Sequence, residues 1–86
     1  MRIDNVEQGV LARATAGHDK GTLYVICDAD DTYVYLVDGK KRMLANPKKK
    51  KRKHLQMIFD RQDISQMTNV DIKRRLKLFD KETGRI

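Results

Sequence analysis

Thr22-Leu23-Tyr24-Val25-Ile26-Cys27-Asp28-Ala29-Asp30-Asp31-Thr32-Tyr33-Val34-Tyr35-Leu36-Val37 is the stretch on which the fold turns. Two runs of β-branched, aromatic and aliphatic residues, 22–27 and 32–37, flank the polar turn Asp28-Ala29-Asp30-Asp31. Such residues suit a pleated, half-buried surface, so the stretch reads as two neighbouring strands. On the N-terminal side, Gly9-Val10-Leu11-Ala12-Arg13-Ala14-Thr15 reads as a first strand, with Val10, Ala12 and Ala14 on one face by the period of two. Ala16-Gly17-His18-Asp19-Lys20-Gly21 is the loop between them. On the C-terminal side, Asp38-Gly39 signals a two-residue hairpin, because both residues tolerate positive φ. A short fourth strand is expected over Lys40-Lys41-Arg42-Met43-Leu44. Ala45-Asn46-Pro47 then breaks the ladder, since Pro lacks the N–H that pairing requires. Lys48 to Lys53 is an unbroken basic run joining strands, and His54-Leu55-Gln56-Met57-Ile58-Phe59 reads as a fifth strand with Leu55, Met57 and Phe59 on one face.

After Asp60 the period changes. Thr68-Asn69 followed by Asp71 has the form of a helix start, a polar cap and then a carboxylate in the first turn. Ile72, Leu76 and Phe79 share one face, with Lys73, Arg74 and Lys77 opposite, and the helix should fade near Lys81, before Gly84. The expected architecture is mainly β: a small antiparallel barrel of about five strands, closed to hide its edges, with a C-terminal α-helix packed on it. The 86 residues suffice for one domain, the barrel spanning about 6–59 and the helical segment about 60–86.

Charge is distributed unevenly. Residues 1–39 hold three basic and seven acidic side chains, whereas residues 40–86 hold sixteen basic and five acidic. The formal net charge is +7, and its concentration in one half of the chain is the footprint of a surface that docks on a polyanion. One cysteine excludes an internal disulfide, and one Cys with two His falls short of an ordinary zinc site. Cys27 lies in an apolar run and reads as a packed thiol suited to a reducing cytoplasm. The first residues lack the apolar stretch of a signal peptide, and no segment approaches a membrane span.

The chemistry concentrates between Lys40 and His54, where nine of fifteen residues are Lys or Arg. Lys40, Lys41, Arg42, Lys48, Lys49, Lys50, Lys51, Arg52 and Lys53, with His54 as a tenth cation, are the candidate phosphate contacts. Their mutual repulsion is relieved by a polyanion, and each phosphate contact releases counterions. A flexible solvated loop is the plain alternative. A nuclear import signal or an anionic-lipid site ranks lower, because the run joins strands instead of ending in a free tail. The loop Gly17, His18, Asp19, Lys20 and Gly21 is a second candidate, offering main-chain N–H groups and two donors, or else a simple turn. Arg13, Lys73, Arg74, Arg75 and Lys77 are secondary, the helix cations reading first as a solvated face. Tyr24, Tyr33 and Tyr35 read first as core residues with a polar rim, and second as stacking platforms for unpaired bases.

Catalysis has no support. His18 and Asp19 are neighbours, but no nucleophile pair, acid/base carboxylate pair or phosphate-cradling loop accompanies them. Asp28, Asp30 and Asp31 lack the spacing of a calcium loop. No cofactor, metal, membrane or small-molecule substrate is expected.

The succession Gly9-Val10, Ala16-Gly17-His18-Asp19-Lys20-Gly21 and Leu23-Tyr24-Val25-Ile26 resembles the KOW motif, in which a glycine-bounded loop joins two apolar strands. The continuation Val37-Asp38-Gly39 with a later basic stretch is similar to the KOW-containing large-subunit ribosomal proteins of archaea and eukaryotes and to their small bacterial relatives. The resemblance covers about residues 6–59. It implies an SH3-like barrel and a cytoplasmic, non-enzymatic protein bound to ribosomal or other structured RNA, with ribosomal proteins as further partners. It also implies RNA contact through Gly17–Gly21. The alternative function is a protein-interaction module of the transcription or translation machinery that docks on an acidic surface.

Overall fold

Period-two alternation sorts the apolar side chains onto the two faces of one antiparallel sheet. A computed structural model describes residues 8–58 and 61–82. Its strands are β1 (Leu11–Ala14), β2 (Leu23–Ala29), β3 (Tyr33–Val37), β4 (Lys48–Lys51) and β5 (Leu55–Ile58), in the spatial order β4-β3-β2-β1-β5. Helix α1 runs Asn69–Glu82. The mainly β architecture of five antiparallel strands with one C-terminal helix matches the expectation, but the barrel does not close as expected: β4 and β5 are not paired to each other and leave two edges.

One face encloses Val10, Ala12, Ala14, Tyr24, Ile26, Ala29, Val34 and Leu36, with Leu55 and Met57 packed beside them. The alanines on this concave side leave room for the sheet to curl. A bulge at Cys27 assists: Ile26 faces Leu36, but Asp28, not Cys27, faces Tyr35, so β2 gains a residue and twists. The second face buries Leu11, Leu23, Val25 and Val37 under Ile64, Ile72 and Leu76, and Phe79 is partly buried against the same cluster. The expected Ile72/Leu76/Phe79 stripe therefore does cover the sheet. Leu55 and Met57 share a face as expected; Phe59, Asp60 and Gly84 lie outside the described residues.

A three-residue 3-10 helix, Arg52–His54, links the two opposite edges of the sheet. Three residues reach about 10 Å at most, so those edges must approach each other at this corner. The link is tied on both sides: the Arg52 N–H donates to Thr32 O at 2.9 Å and the Thr15 N–H donates to His54 O at 2.9 Å.

The fourth strand is not where the sequence pattern placed it. Residues 40–44 form part of a loop, and the lysine run itself, Lys48–Lys51, is the strand that pairs with β3. Asp38 ends the expected hairpin early. Its carboxylate Oδ1 accepts the N–H groups of Lys40 (2.9 Å) and Arg42 (2.8 Å), and the N–H groups of Asp38 and Gly39 both donate to Arg42 O. This hook replaces ladder bonds with local ones. The Leu44 N–H then donates to Asn69 Oδ1 at 2.8 Å, fastening the loop to the start of α1.

The helix begins as expected. Thr68 Oγ1 accepts the Asp71 N–H, and Asp71 Oδ2 accepts the Thr68 N–H, a reciprocal cap with Asp in the usual Glu position. Among the described residues no helix is long and apolar enough to cross a membrane.

Candidate nucleic-acid interface

Gly17 (φ 87°) and Gly21 (φ 91°) occupy the left-handed region and let the β1–β2 loop turn tightly. The Gly21 N–H donates to Ala14 O, the Lys20 N–H to Gly17 O and the Thr22 N–H to Asp19 O, which fixes the loop. His18 and Lys20 are exposed, whereas Asp19 turns inward. Its carboxylate accepts from Tyr24 Oη at 2.8 Å, from Lys50 Nζ at 2.6 Å, and pairs with Lys48 Nζ at 3.3 Å. Burial alone would raise the Asp19 carboxyl; the Lys50, Tyr24 and Lys48 contacts outweigh it and hold the group well below the usual carboxylate range. Burial and the same carboxylate push the Tyr24 phenol up.

Because 48–51 is a strand, its lysines alternate. Lys48 and Lys50 point toward Asp19, and the Lys50 side chain, only 10% exposed, also donates to Ala16 O at 2.9 Å. Arg52 is half-buried and donates through Nη2 to Asp30 O. Lys49, Lys51 and Lys53 are exposed. The six-cation run thus divides into three side chains engaged within the fold and three facing outward. His54, half-buried, accepts the Thr15 N–H on its carbonyl, just past the end of β1.

The hook at 38–42 presents Lys40 and Lys41 to solvent and leaves Arg42 half-buried. Its position depends on Gly39 (φ 73°): a Cβ there would stand 2.1 Å from Asn69 O and 2.8 Å from Lys73 N. With the loop seated, Lys40, Lys41, Arg42 and Lys48 line, together with His18, a groove of about 450 Å³, whose lining also includes Asp19 and Asp38. Two stretches separated by some twenty residues in sequence therefore line one site. A second concavity of about 480 Å³ shares Thr22, Asp38 and Lys40 with the first and adds Lys73 and Lys77 of α1. Two of the helix cations thereby border the groove, a relation invisible in the linear sequence.

Two of the other secondary candidates, Arg13 and Arg75, are structural. Arg13 donates to Gly21 O (2.8 Å) and pairs with Asp80 (3.2 Å), holding the loop to the end of α1. Arg75, expected on a solvated face, is buried and donates through Nη1 to Gly9 O at 2.7 Å. Arg74 is exposed beside Asp71.

The tyrosines separate too. Tyr24 is core, as expected. Tyr33 and Tyr35 are partly exposed and belong to neither apolar cluster. Lys49 Nζ lies 4.2 Å from the Tyr33 ring centroid, a contact worth about 0.5–1 kcal/mol at an exposed position. Cys27 packs against the helix-side cluster; burial, then Asp28, pushes its thiol up to about 11, which keeps it protonated and unreactive. Among the described residues no group of three or more His, Cys, Asp or Glu is arranged to hold a metal ion.

No protein-family model and no curated protein matches the chain.

Proposed function

We propose that this chain is a non-catalytic RNA-binding protein of the KOW type, cytoplasmic and ribosome-associated, that grips RNA phosphates. The carrying observation is the groove whose lining brings His18, Lys40, Lys41, Arg42 and Lys48 together, with Asp19 and Asp38 among them. Exposed lysines act as point charges and read a phosphate backbone by its shape and spacing, so structured RNA is the ligand class. The Gly17–Gly21 loop contributes His18 and Asp19 to the groove, with His18 and Lys20 exposed and Asp19 bracing the loop from within. Lys50 and Arg52 hold the scaffold, and Lys49, Lys51 and Lys53 extend the positive surface along the edge strand.

Lysine on an edge strand also blocks edge-to-edge aggregation, which by itself explains exposed lysines on β4. It does not explain Lys40, Lys41 and Arg42 gathered with His18 around one groove. Binding of a ribosomal RNA fragment by the unaltered chain and by Lys40→Gln/Lys41→Gln tests the reading. The variant should keep its melting temperature and lose about one unit of salt slope per phosphate contact removed. An unchanged slope rejects the groove as the contact. Binding to acidic proteins with no binding to RNA would replace the reading with a protein-docking module.

A further inference from the structure

Tyr33 and Tyr35 are two residues apart on β3, on the side opposite Val34 and Leu36, which are fully buried. Side chains with that spacing stand about 6.6 Å apart. That is roughly double the ~3.4 Å rise per nucleotide of a stacked strand, so each ring can receive its own base only where the bases are parted from each other. In the β3–β4 register Lys51 lies opposite Tyr33 and Lys49 opposite Tyr35, both lysines are exposed, and the Lys49 ammonium reaches over the Tyr33 ring. The turn below Tyr33 is stiff: Asp30 Oδ1 accepts the N–H groups of Thr32 (2.9 Å) and Tyr33 (2.7 Å). A concavity of about 440 Å³ lined by Asp31, Thr32, Lys51, Arg52 and Lys53 opens at the same end of the hairpin.

We propose that the outer face of the β3–β4 hairpin is a stacking site for unpaired nucleotide bases, with Tyr33 and Tyr35 as platforms and Lys49, Lys51 and Lys53 as phosphate contacts. The proposal rests on the RNA-binding reading and adds to it that the bound RNA carries an unpaired segment next to its structured part. Aromatic rings that are partly exposed, outside both cores and flanked by exposed lysines, suit a ligand that alternates π-faces with negative charge. The ammonium now over Tyr33 would move to a phosphate as a base takes its place.

The absence of Trp makes tyrosine emission a direct readout. The unaltered protein is titrated with a short oligoadenylate and with an abasic ribose-phosphate chain of equal length at the same salt. The oligoadenylate should bind about tenfold more tightly per stacked base and quench tyrosine emission. The abasic chain should bind weakly without quenching. Tyr33→Leu/Tyr35→Leu keeps apolar bulk and should bring the two affinities together; if that variant fails to fold, the comparison of the two chains on the unaltered protein still decides. Equal affinities with structured RNA still bound overturn the stacking site and leave RNA binding intact. Binding of neither chain nor of structured RNA overturns both. Quenching by polyglutamate as strong as by oligoadenylate overturns the site in favour of an acidic protein partner.

Discussion

Asp19 looks at first like a misplaced charge in a loop meant for phosphate, and its surroundings explain it. Two ammonium groups and a phenol surround its carboxylate, so the ion is stabilised in the fold and lost with it. The folded carboxyl titrates below the ordinary value near 3.8. A depressed folded pKa contributes stability at pH above the unfolded value, and that contribution drains away as pH falls below about 4. Asp63 and Asp71, lowered by bonds from Ser65 and Thr68, act with the same sign at the surface. Thermal melts of the wild type between pH 7 and pH 3 should therefore stay level and then drop below about pH 4. Asp19→Asn should lose about 2 kcal/mol at pH 7 and show a shallower acid drop. Parallel pH profiles for the two proteins would remove Asp19 from this role. Residue type alone did not disclose it: Asp19 precedes Lys20 in a polar loop, and its partners Tyr24 and Lys50 come from two different strands.

At the scale of elements, the loop 38–47 decides where the cations stand, and Gly39 decides where the loop stands. Gly39→Ala must accept both a positive φ and a Cβ driven into the first turn of α1. The expected cost is about 2–4 kcal/mol, a fall in melting temperature of roughly 10 °C or more, measurable by circular dichroism. A melting temperature within a degree or two of wild type would mean that the loop does not seat on the helix. The same loop shows where sequence reasoning succeeds and stops. β1, β2, β3, β5 and α1 were legible because apolar periodicity and a Thr/Asp cap marked them. β4 was not, since four lysines carry no apolar alternation and a low strand propensity; its place at the sheet edge, where lysine is tolerated, determines it. Met43 and Leu44 imitated a strand end, but the Asp38 hook claims the Arg42 backbone just before them and the Asn69 side chain claims the Leu44 N–H. Once 48–51 is recognised as a strand, period two alone separates Lys48 and Lys50 from Lys49 and Lys51. The apolar neighbours of Tyr33 and Tyr35 point to the core, but both lie outside the two apolar clusters, because the extent of the face that α1 covers is a long-range property.

For the whole molecule, the net charge of +7 is less informative than its partition. Lys50 and Arg52, together with Arg13 and Arg75, are engaged with carboxylates or carbonyls within the fold. Lys40, Lys41, Lys49, Lys51, Lys53, Lys73 and Lys77 remain exposed, and they form the surface that counterions must otherwise cover. A phosphate chain displaces those counterions, and the number displaced sets how steeply affinity depends on salt. The direct measurement is the dissociation constant of the full chain for a structured ribosomal RNA fragment over a series of salt concentrations. The account predicts that log affinity falls linearly with log salt, with a slope of several units, in keeping with about four or more phosphates engaged. A slope near zero, or no binding in dilute buffer, would contradict it.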